Sequence, residues 1–452
     1  MSSARRPDAV TTTCFATPVL EDTRALEHDN STLRCRRAAS SPIRRRNIHS
    51  NTLHIPLAAS LFPTHINAVV LRSSGRWILD ASTGQRVKLR CVNWAGHMET
   101  NIPEGLQHQP ASTIAQWIAT NRFNCVRLTF SIDMALNPNQ RVSDSFTAAA
   151  GPAGVSVSEM QGLYNQALSK NPWLSSSTTR GAFARVIQEL EARNVLVVLD
   201  NHVSRASWCC STNDGNGWWA SASGYDANNS RYFDTNNWLN GLRSMASFSH
   251  SHPNVVGIAL RNELRAVGNQ DRNNHADWYN YITQGAQAVR GANSNLLVVV
   301  GGVNYALDLS FVWNRMLDRN VFGDKLVWEL HNYAWSGGGR DCNNHQKMMG
   351  DRGGFVLIQN REFTGPLFLS EFGWAQNNPS ADEIAYSSCL VRYLESNDAE
   401  WAYWALQGSY YVRERRVNFD ETFGLLNHDW SGWRNGSFVR TLGKMWDVTQ
   451  GP

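Results

Sequence analysis

The nine residues "VVGIALRNE" (255–263) decide the fold, because an apolar run of strand length ends there abruptly in Arg261, Asn262 and Glu263. A short, continuous apolar run predicts a strand that is buried on both faces, as in a parallel sheet covered by helices. The polar end of the run has two interpretations. Either the strand simply reaches the surface and turns, or its tip carries a catalytic carboxylate. The rest of the chain decides between them.

Comparable apolar runs recur along the chain. The stretches between them include 178–194 and 275–293, where apolar residues at three- and four-residue spacing predict helices that end at Asn or Gly. Strands that alternate with helices in this way predict an α/β fold, a (β/α)8 TIM barrel. A doubly wound open sheet is the alternative, but no G-x-G-x-x-G motif follows the first strand. The eight runs are 87–94, 124–130, 195–202, 255–263, 296–302, 325–333, 366–374 and 400–406.

The charge of the chain is unevenly distributed. The full sequence has 42 Lys plus Arg against 38 Asp plus Glu, and residues 1–50 hold nine Arg against five acidic residues. The remainder is therefore neutral overall, which excludes a bulk electrostatic attraction to nucleic acid or anionic lipid. We expect two regions: a disordered tail or displaced targeting segment over 1–70, and one barrel domain over 71–452.

The N-terminal region lacks an apolar segment that begins near Met1, so it contains no ordinary signal peptide. A basic cluster at 44–46 precedes an apolar stretch that Pro56 and Pro63 interrupt, which excludes a membrane span there. We interpret this stretch as a secretion signal displaced by an upstream start, with a disordered tail or a transit peptide as the alternatives. We therefore expect a secreted, extracellular protein without a membrane span, and a monomer.

Polar or aromatic side chains stand at the carboxyl ends of seven of the eight runs, which is the end where (β/α)8 barrels place their active sites. One such residue alone would more often be structural, but seven strand ends together indicate a site. Glu263 ends the fourth strand and Glu371 the seventh, so the two should face each other across the barrel mouth. The other tip residues are Asn93, Trp94, Arg127, Asn201, His202, Asn262, His331, Tyr333 and Trp404.

Two carboxylates that converge on one cleft are what hydrolysis of a glycosidic bond requires. One gives a proton to the leaving oxygen, and the other, ionised, attacks the anomeric carbon or stabilises its charge. Arg127, Asn262, His331 and Tyr333 are donors that could hold the ionised partner and orient a sugar hydroxyl. The 18 tryptophans suit a surface that stacks on sugar rings, although core packing explains them equally well. This chemistry needs no cofactor.

Two other functions compete with glycoside hydrolysis. A metal-dependent hydrolase would use Asp200, His202 and His331 as ligands. Because Arg127 lies nearby and opposes a cation, we expect no metal. A non-catalytic carbohydrate-binding barrel is the second alternative, but such a protein would more readily have lost one of the two glutamates.

At these residues the sequence resembles glycoside hydrolase family 5, the cellulase-type family, in a branch known from fungi and plants. The resemblance runs from about residue 77 to residue 445 and rests on the ordered motifs "CVRL", "DNH", "RNE", "ELHNY", "SEFG" and "YWALQGSYY". It implies a retaining β-glycosidase without a cofactor. Its expected partner is a carbohydrate substrate, a β-linked polysaccharide or glycoconjugate, with a β-glucan such as cellulose favoured.

The resemblance also implies a role for each matching residue. Glu263 is the general acid/base and Glu371 the nucleophile, and retention implies carboxyl groups about 5–5.5 Å apart. The remaining assignments are Asn262 for the sugar 2-hydroxyl, Arg127 and Tyr333 for the nucleophile, His202 and His331 for the subsite around the cleaved bond, and Trp404 for the platform beneath the sugar.

The loop after the third strand is rich in Trp, Cys and Gly (200–219), which departs from a simple family member. We expect Trp219 in this loop, Trp94 at the first strand and Trp335 after the sixth strand to contact the substrate. Anchoring of the loop is the alternative for Trp218 and Trp219, and a structural role of the same kind is the alternative for Trp335.

The cysteines allow several disulfides. Cys209 or Cys210 is a candidate partner for Cys342, and Cys91 for Cys125 on the neighbouring strand. Neither pairing follows from the sequence, because a disulfide needs Cα atoms within about 7 Å.

Overall fold

The computed structural model describes residues 69–452. The expected tail or targeting segment over 1–70 lies outside the described residues, except for its last two. The described chain begins with an antiparallel hairpin of β1 (Leu71–Ser74) and β2 (Trp77–Asp80). Leu71 and Ile78 of this hairpin are fully buried in the same apolar cluster as the first residues of several barrel strands. The hairpin therefore closes the amino-terminal end of the barrel.

Eight parallel strands form a closed barrel in which the last strand pairs with the first, so the predicted (β/α)8 fold is confirmed. Each of the eight apolar runs coincides with one strand, and β4 and β5 extend one residue beyond their runs. Several strands are shorter than their runs, because the last residues of those runs leave the sheet at the barrel mouth. The strands are β3 (Arg90–Trp94), β4 (Cys125–Ser131), β5 (Leu196–Val203), β6 (Val255–Ala259), β7 (Leu297–Gly301), β8 (Leu326–His331), β9 (Leu367–Phe372) and β10 (Glu400–Tyr403).

Helices fill the connections between the strands. Within residues 69–452, no helix combines the length and the apolar composition needed to cross a bilayer. The α-helices are α1 (Ala111–Thr120), α2 (Ile132–Leu136), α3 (Val142–Ala153), α4 (Val157–Lys170), α5 (Thr179–Glu191), α6 (Ala227–Ser230), α7 (Thr235–Phe248), α8 (Asn274–Ala292), α9 (Val303–Ala306), α10 (Arg319–Phe322), α11 (Cys342–Arg352), α12 (Ala381–Asn397) and α13 (Phe438–Gly443). Single 3-10 turns lie at Pro172–Ser176, Ser249–Ser251, Gly268–Asn273, Ser310–Trp313, Ala334–Ser336 and Gly354–Leu357.

The two helices predicted from their spacing, over 178–194 and 275–293, are α5 and α8. In α5 the apolar residues recur at three- and four-residue intervals, and Phe183, Val186 and Leu190 on that face are fully buried. The hydroxyl of Thr178 accepts a hydrogen bond from the backbone N–H of Gly181 and so caps the start of the helix. The outer helices thereby bury the outward faces of strands that are themselves apolar on both sides.

A second antiparallel hairpin, β11 (Ser409–Arg413) and β12 (Arg416–Asp420), follows the last barrel strand. Its backbone is tied to the loop after β3, because Glu104 accepts a hydrogen bond from the N–H of Tyr411 at 2.6 Å. The phenol of Tyr410 donates to Glu421, which lies just beyond the hairpin. This hairpin builds one side of the barrel mouth.

The structure contains three disulfides among the described residues. Cys91 and Cys125 join β3 to β4, as one of the two candidate pairings had it. The other candidate, a bond from Cys209 or Cys210 to Cys342, is wrong. Cys342 stands at the start of α11 and bonds to Cys389 of the neighbouring α12, with Cα atoms 4.8 Å apart. Cys209 and Cys210 are bonded to each other.

Candidate active site

The carboxyl ends of the barrel strands bring the two glutamates to one place. Glu371 lies in β9, and Glu263 follows the end of β6 by four residues. The polar end of the opening run folds over the barrel mouth, where Arg261 and Asn262 are each only 1% exposed. The backbone of Glu263 has a φ of 45°, in the left-handed region. A non-glycine residue held there costs about 1–3 kcal/mol, and such strain clusters at functional sites.

Arg127 of β4 is the cation that connects this cluster, and it is completely buried. One side of its guanidinium faces Glu371, to which Nη1 donates at 2.7 Å. The other side faces Asn262, whose Oδ1 accepts from Nη2 at 2.9 Å. Nη2 also lies 3.1 Å from Asp200 and 3.2 Å from Glu329. Burial alone would lower the pKa of Arg127, but Asp200, Glu329 and Glu371 raise it, so the group is a permanent cation.

Glu371 is held from two directions. Besides Arg127, the phenol of Tyr333 donates to its Oε2 at 3.1 Å. Burial raises the pKa of Glu371 from 4.5 to about 7, while His331 and Arg127 oppose the rise by favouring the charged form. Arg127 and Tyr333 both donate hydrogen bonds to the carboxylate, which favours its ionised form, so the site orients Glu371 as an anion.

His331 stands between the two glutamates. Its Nδ1 lies 3.1 Å from Oε1 of Glu263 and 3.7 Å from Oε2 of Glu371. Burial lowers the pKa of His331, but Glu371, Glu263 and Glu329 outweigh this effect and raise it to about 10. The imidazole is therefore a cation at neutral pH and donates from Nδ1 to Glu263. One carboxylate oxygen of Glu263 and one of Glu371 lie within 4.8 Å of each other.

His202 has the opposite protonation state. Burial, followed by the charge of Arg127, holds its pKa well below 6.5, so the ring is neutral. Its Nδ1 lies 2.6 Å from Oδ2 of Asp200, and its Nε2 lies 3.3 Å from Nδ2 of Asn262. Nδ1–H donating to Asp200 leaves Nε2 as the acceptor for the Asn262 amide. Asn262 is thus fixed at its oxygen by Arg127 and at its nitrogen by His202.

A cavity of about 560 Å³ opens above these groups, and Glu263 and Glu371 both line it. Several aromatic side chains contribute to its walls. The indole of Trp404, at the end of β10, stacks on the ring of His202 with 17° between the planes. The ring of Trp335 stacks on that of Tyr333, with 4.7 Å between the ring centroids and 3° between the planes. Trp335 is 70% exposed to solvent. The exposed ring of Trp335 matches the apolar face of a sugar ring, whereas Trp404, which is 6% exposed, offers the cavity only a small part of its surface.

The structure brings most of the expected residues to the cavity and two of them to a place behind it. His202, Asn262, Tyr333, Trp335 and Trp404 line the cavity together with the two glutamates. Arg127 and His331 do not line it but contact the glutamates from behind. Arg127 thereby holds Glu371, as the resemblance implies for it, and His331, expected in the subsite around the cleaved bond, lies against both glutamates outside the cavity lining.

The expectation that Trp94 and Trp219 contact substrate is wrong. Both are 0% exposed. The Trp94 indole points away from the cavity and donates to the backbone carbonyl of Glu104 at 2.9 Å. Trp219 packs inside an aromatic cluster, with Tyr281 stacked on it at 4.9 Å and Trp238 against it edge-on. Trp218 is equally buried, so these two tryptophans anchor the loop after β5.

Several residues of the site escaped the sequence analysis. Glu329 lies two residues before His331 on β8, and this spacing places both side chains on the inner face of the barrel. The sequence signal for Glu329 is a charged residue inside an apolar run. Glu421 and Phe423 line the cavity from the segment after β12, where no pattern in the sequence marks them, and Trp208 lines it from the Trp- and Cys-rich loop after β5 that stands out in the sequence. The bonded pair Cys209–Cys210 lines it as well.

The proposed metal ligands Asp200, His202 and His331 do not form a close ligand group among the described residues. The groups that do come together are Glu263, His331 and Glu371, and Glu263 with Cys209 and Cys210. The first contains a protonated imidazole beside Arg127, and the second contains two sulfurs that are bonded to each other. Neither donor set suits a cation, because a ligating imidazole must be neutral and a ligating thiol ionised.

The chain is similar to known glycosidases over most of its length. A family model described as "Cellulase (glycosyl hydrolase family 5)" matches residues 81–409. A glycosyl hydrolase 5 family protein of Chamaecyparis obtusa is 37% identical over 401 residues, which cover 86% of this chain and 68% of the relative. An endoglucanase of Paenibacillus polymyxa is 21% identical over 386 residues, 80% of this chain and 83% of the relative.

A solved structure supports the fold independently. The catalytic domain of the major endoglucanase from Xanthomonas campestris pv. campestris superposes with a TM-score of 0.64 at 22% identity. The match covers 83% of this chain and 99% of that domain. At this level of identity the likeness establishes the barrel architecture.

Proposed function

The chain belongs to glycoside hydrolase family 5 and hydrolyses O-glycosyl bonds, and from this premise we propose that it is a retaining β-glycosidase that acts on a β-linked glucan. The observation that carries the proposal is the pair Glu263 and Glu371, whose carboxylate oxygens approach within 4.8 Å on the wall of one cavity. Carboxyl groups close to 5 Å apart suit a covalent intermediate, whereas inverting enzymes keep about 6.5–9.5 Å for a water molecule.

Glu371 is the nucleophile of this proposal. Its carboxylate attacks the anomeric carbon, and the bond from that carbon to the leaving oxygen breaks. Arg127 and Tyr333 occupy one oxygen each, at 2.7 and 3.1 Å, which fixes the carboxylate for attack. Because these donors are buried and already in place, they stabilise the anion without reorganisation.

Glu263 is the general acid and base. It gives its proton to the leaving oxygen as the first bond breaks, and it then takes a proton from the water that attacks the glycosyl ester of Glu371. The hydrogen bond from His331 aims its carboxyl group, and the backbone turn at residue 263 carries that group over the cavity. The amide of Asn262 is held by Arg127 and His202 at the position from which it donates to the sugar 2-hydroxyl.

The substrate class rests on the walls of the cavity and on the relatives. Trp335, exposed at the rim, and Trp404, inside the cavity, offer two aromatic surfaces for sugar rings, which supports a substrate with more than one sugar. The relative from Paenibacillus polymyxa is named an endoglucanase, which favours a β-glucan over a β-mannan or a glycoconjugate. We also propose that the protein is secreted, since its disulfides suit an oxidising compartment.

A hydrolysis screen of the full chain tests this function. We expect release of sugar from β-1,4- or β-1,3-glucan and slower release from β-mannan, glycosylceramides and aryl β-glycosides. NMR of the first product should show the β-anomer, which then mutarotates. Glu371→Ala is the blank. Activity that persists in Glu371→Ala, or an α-anomer as first product, would contradict the mechanism, and binding of glucan without hydrolysis would favour a non-catalytic barrel.

A further inference from the structure

The bonded pair Cys209–Cys210 has no evident role in holding the fold together. The other two disulfides join separate elements, 34 and 47 residues apart in sequence. Bonding of adjacent residues closes almost no chain loop, and so it removes little entropy from the unfolded chain. Cys209 is nevertheless buried and Cys210 half-buried, on the wall of the cavity that contains both glutamates.

The sulfur atoms of this pair face the amide of Asn262. Nδ2 of Asn262 lies 3.6 Å from Sγ of Cys209 and 3.6 Å from Sγ of Cys210. A carboxylate oxygen of Glu263 and the two sulfurs lie within 4.8 Å of one another. One amide hydrogen is directed at Nε2 of His202, so the sulfurs cover the other. A disulfide is a weak acceptor, and it shields this N–H from water without engaging it strongly.

The same strand end that carries Asn262 fixes the loop that carries the cysteines. Arg265 is 2% exposed and donates from Nε to the carbonyl of Ser211, next to the pair, at 2.9 Å. Its Nη2 contacts Asp214 of the loop at 2.6 Å, and its Nη1 donates to the backbone carbonyl of Glu263 at 2.8 Å. Because one guanidinium joins both segments, the sulfurs keep a fixed position relative to Asn262 and Glu263.

We propose that the Cys209–Cys210 disulfide is a positioning element for Asn262: its sulfurs are weak acceptors that hold the second amide N–H dry and in place until the oxygen of the sugar 2-hydroxyl, a stronger acceptor, takes that N–H over. The inference rests on the proposed function and deepens it. Without the bond, the two side chains rotate independently and water reaches the amide. The enzyme then cleaves a sugar that has a 2-hydroxyl with a kcat/KM only slightly higher than that for a sugar that lacks it.

The test compares an aryl β-glucoside with its 2-deoxy counterpart in the full chain. In Cys209→Ser/Cys210→Ser we expect kcat/KM for the parent glucoside to fall about tenfold, the size of one lost hydrogen bond, while the 2-deoxy substrate changes less than about threefold. In an Asn262→Ala background the same serine pair should cause no further loss. The matched control is Cys342→Ser/Cys389→Ser, which removes a disulfide outside the cavity and should leave the ratio of the two substrates unchanged.

Each outcome bears on the inference. Equal losses on both substrates would assign the pair a general structural role and overturn it, and no loss on either would do the same. Peptide mapping that finds both thiols free in the active protein would also overturn it. If the unmodified chain cleaves no β-glycoside, the proposed function fails together with the inference. If it does cleave one and the substrate ratio is unmoved, the inference alone fails.

Discussion

Nη1 of Arg127 donates to Oε1 of Glu371 at 2.7 Å, between side chains that are 0% and 6% exposed. The same guanidinium holds Asn262 through its other nitrogen, so a single cation from β4 aligns the proposed nucleophile and the proposed 2-hydroxyl donor. This link fixes Glu371 of β9 and Asn262, beyond the end of β6, in position relative to each other. The guanidinium of Arg127 can make both contacts because it is planar and its two terminal nitrogens donate in different directions.

Arg127→Lys tests this link. An ammonium group is a point charge and cannot serve Glu371 and Asn262 in two directions, so we expect kcat to fall about 100-fold with KM nearly unchanged. Steady-state kinetics on an aryl β-glycoside measure the effect. Arg185→Lys, at a half-exposed ion pair on α5, is the control and should be silent. A kcat close to that of the parent protein would show that charge alone suffices.

The two glutamates should separate by their response to the leaving group. Glu371→Ala removes the nucleophile, so turnover should be lost for every substrate while the circular dichroism spectrum is unchanged. Azide, a small anion that fits the vacated space, should restore cleavage and yield a glycosyl azide. Glu263→Ala should slow glucan hydrolysis far more than cleavage of activated aryl glycosides, which need no proton on the leaving oxygen. Equal losses on both substrate types would contradict the role of Glu263.

His331→Gln should move the pH dependence of kcat/KM in a defined direction. The imidazolium lowers the pKa of Glu371, against the rise that burial causes. Without that charge the pKa of Glu371 rises further, so a higher pH is needed to ionise it. The acid limb of the profile should therefore shift to higher pH, and a profile that does not move would show that His331 does not control Glu371.

Trp335 and Trp219 should behave as opposites. Trp335 is 70% exposed on the cavity rim, so Trp335→Ala should raise KM for the polysaccharide about tenfold and leave the melting temperature unchanged. Trp219 is fully buried, so Trp219→Ala should lower the stability by about 3–5 kcal/mol. Kinetics and thermal unfolding of both variants check this. A raised KM in a fully folded Trp219→Ala protein would instead support the expectation that Trp219 contacts the substrate.

The amino-acid sequence predicts this structure where a single physical pattern controls the outcome. Continuous apolar runs located the barrel strands because strands covered on both faces are mostly apolar on both. The ends of those runs located Glu263 and Glu371 because parallel strands share one carboxyl edge. Trp94 and Trp219 were misplaced because an indole serves a core and a sugar surface equally well, and only the folded chain shows which face it meets.

The remaining differences between sequence and structure lie in the loops. The bond between Cys209 and Cys210 and the contribution of Phe423 depend on how the segments after β5 and β10 return over the barrel mouth. Neither segment has the periodicity of a strand or helix, so no local pattern places their side chains. Tertiary contacts such as those of Arg265 with Ser211 and Asp214 fix them instead.

Glu400 of β10 predicts how stability depends on pH, away from the active site. Burial raises the pKa of this carboxyl from 4.5 to about 7, against the opposing effect of Arg86. The folded protein therefore holds a proton that the unfolded chain releases between pH 4.5 and 7, so this group reduces stability progressively as the pH rises through that window.

Glu400→Gln removes this titration and keeps a side-chain oxygen that can accept the hydrogen bond from the N–H of Leu89. We therefore expect the difference in melting temperature, variant minus parent, to be larger at pH 7.5 than at pH 4.5. Glu395→Gln, on the exposed face of α12, is the matched control and should show a constant difference across the range. If Glu400→Gln also shows a constant difference, Glu400 is ionised in the folded protein throughout, and Arg86 rather than burial controls its charge.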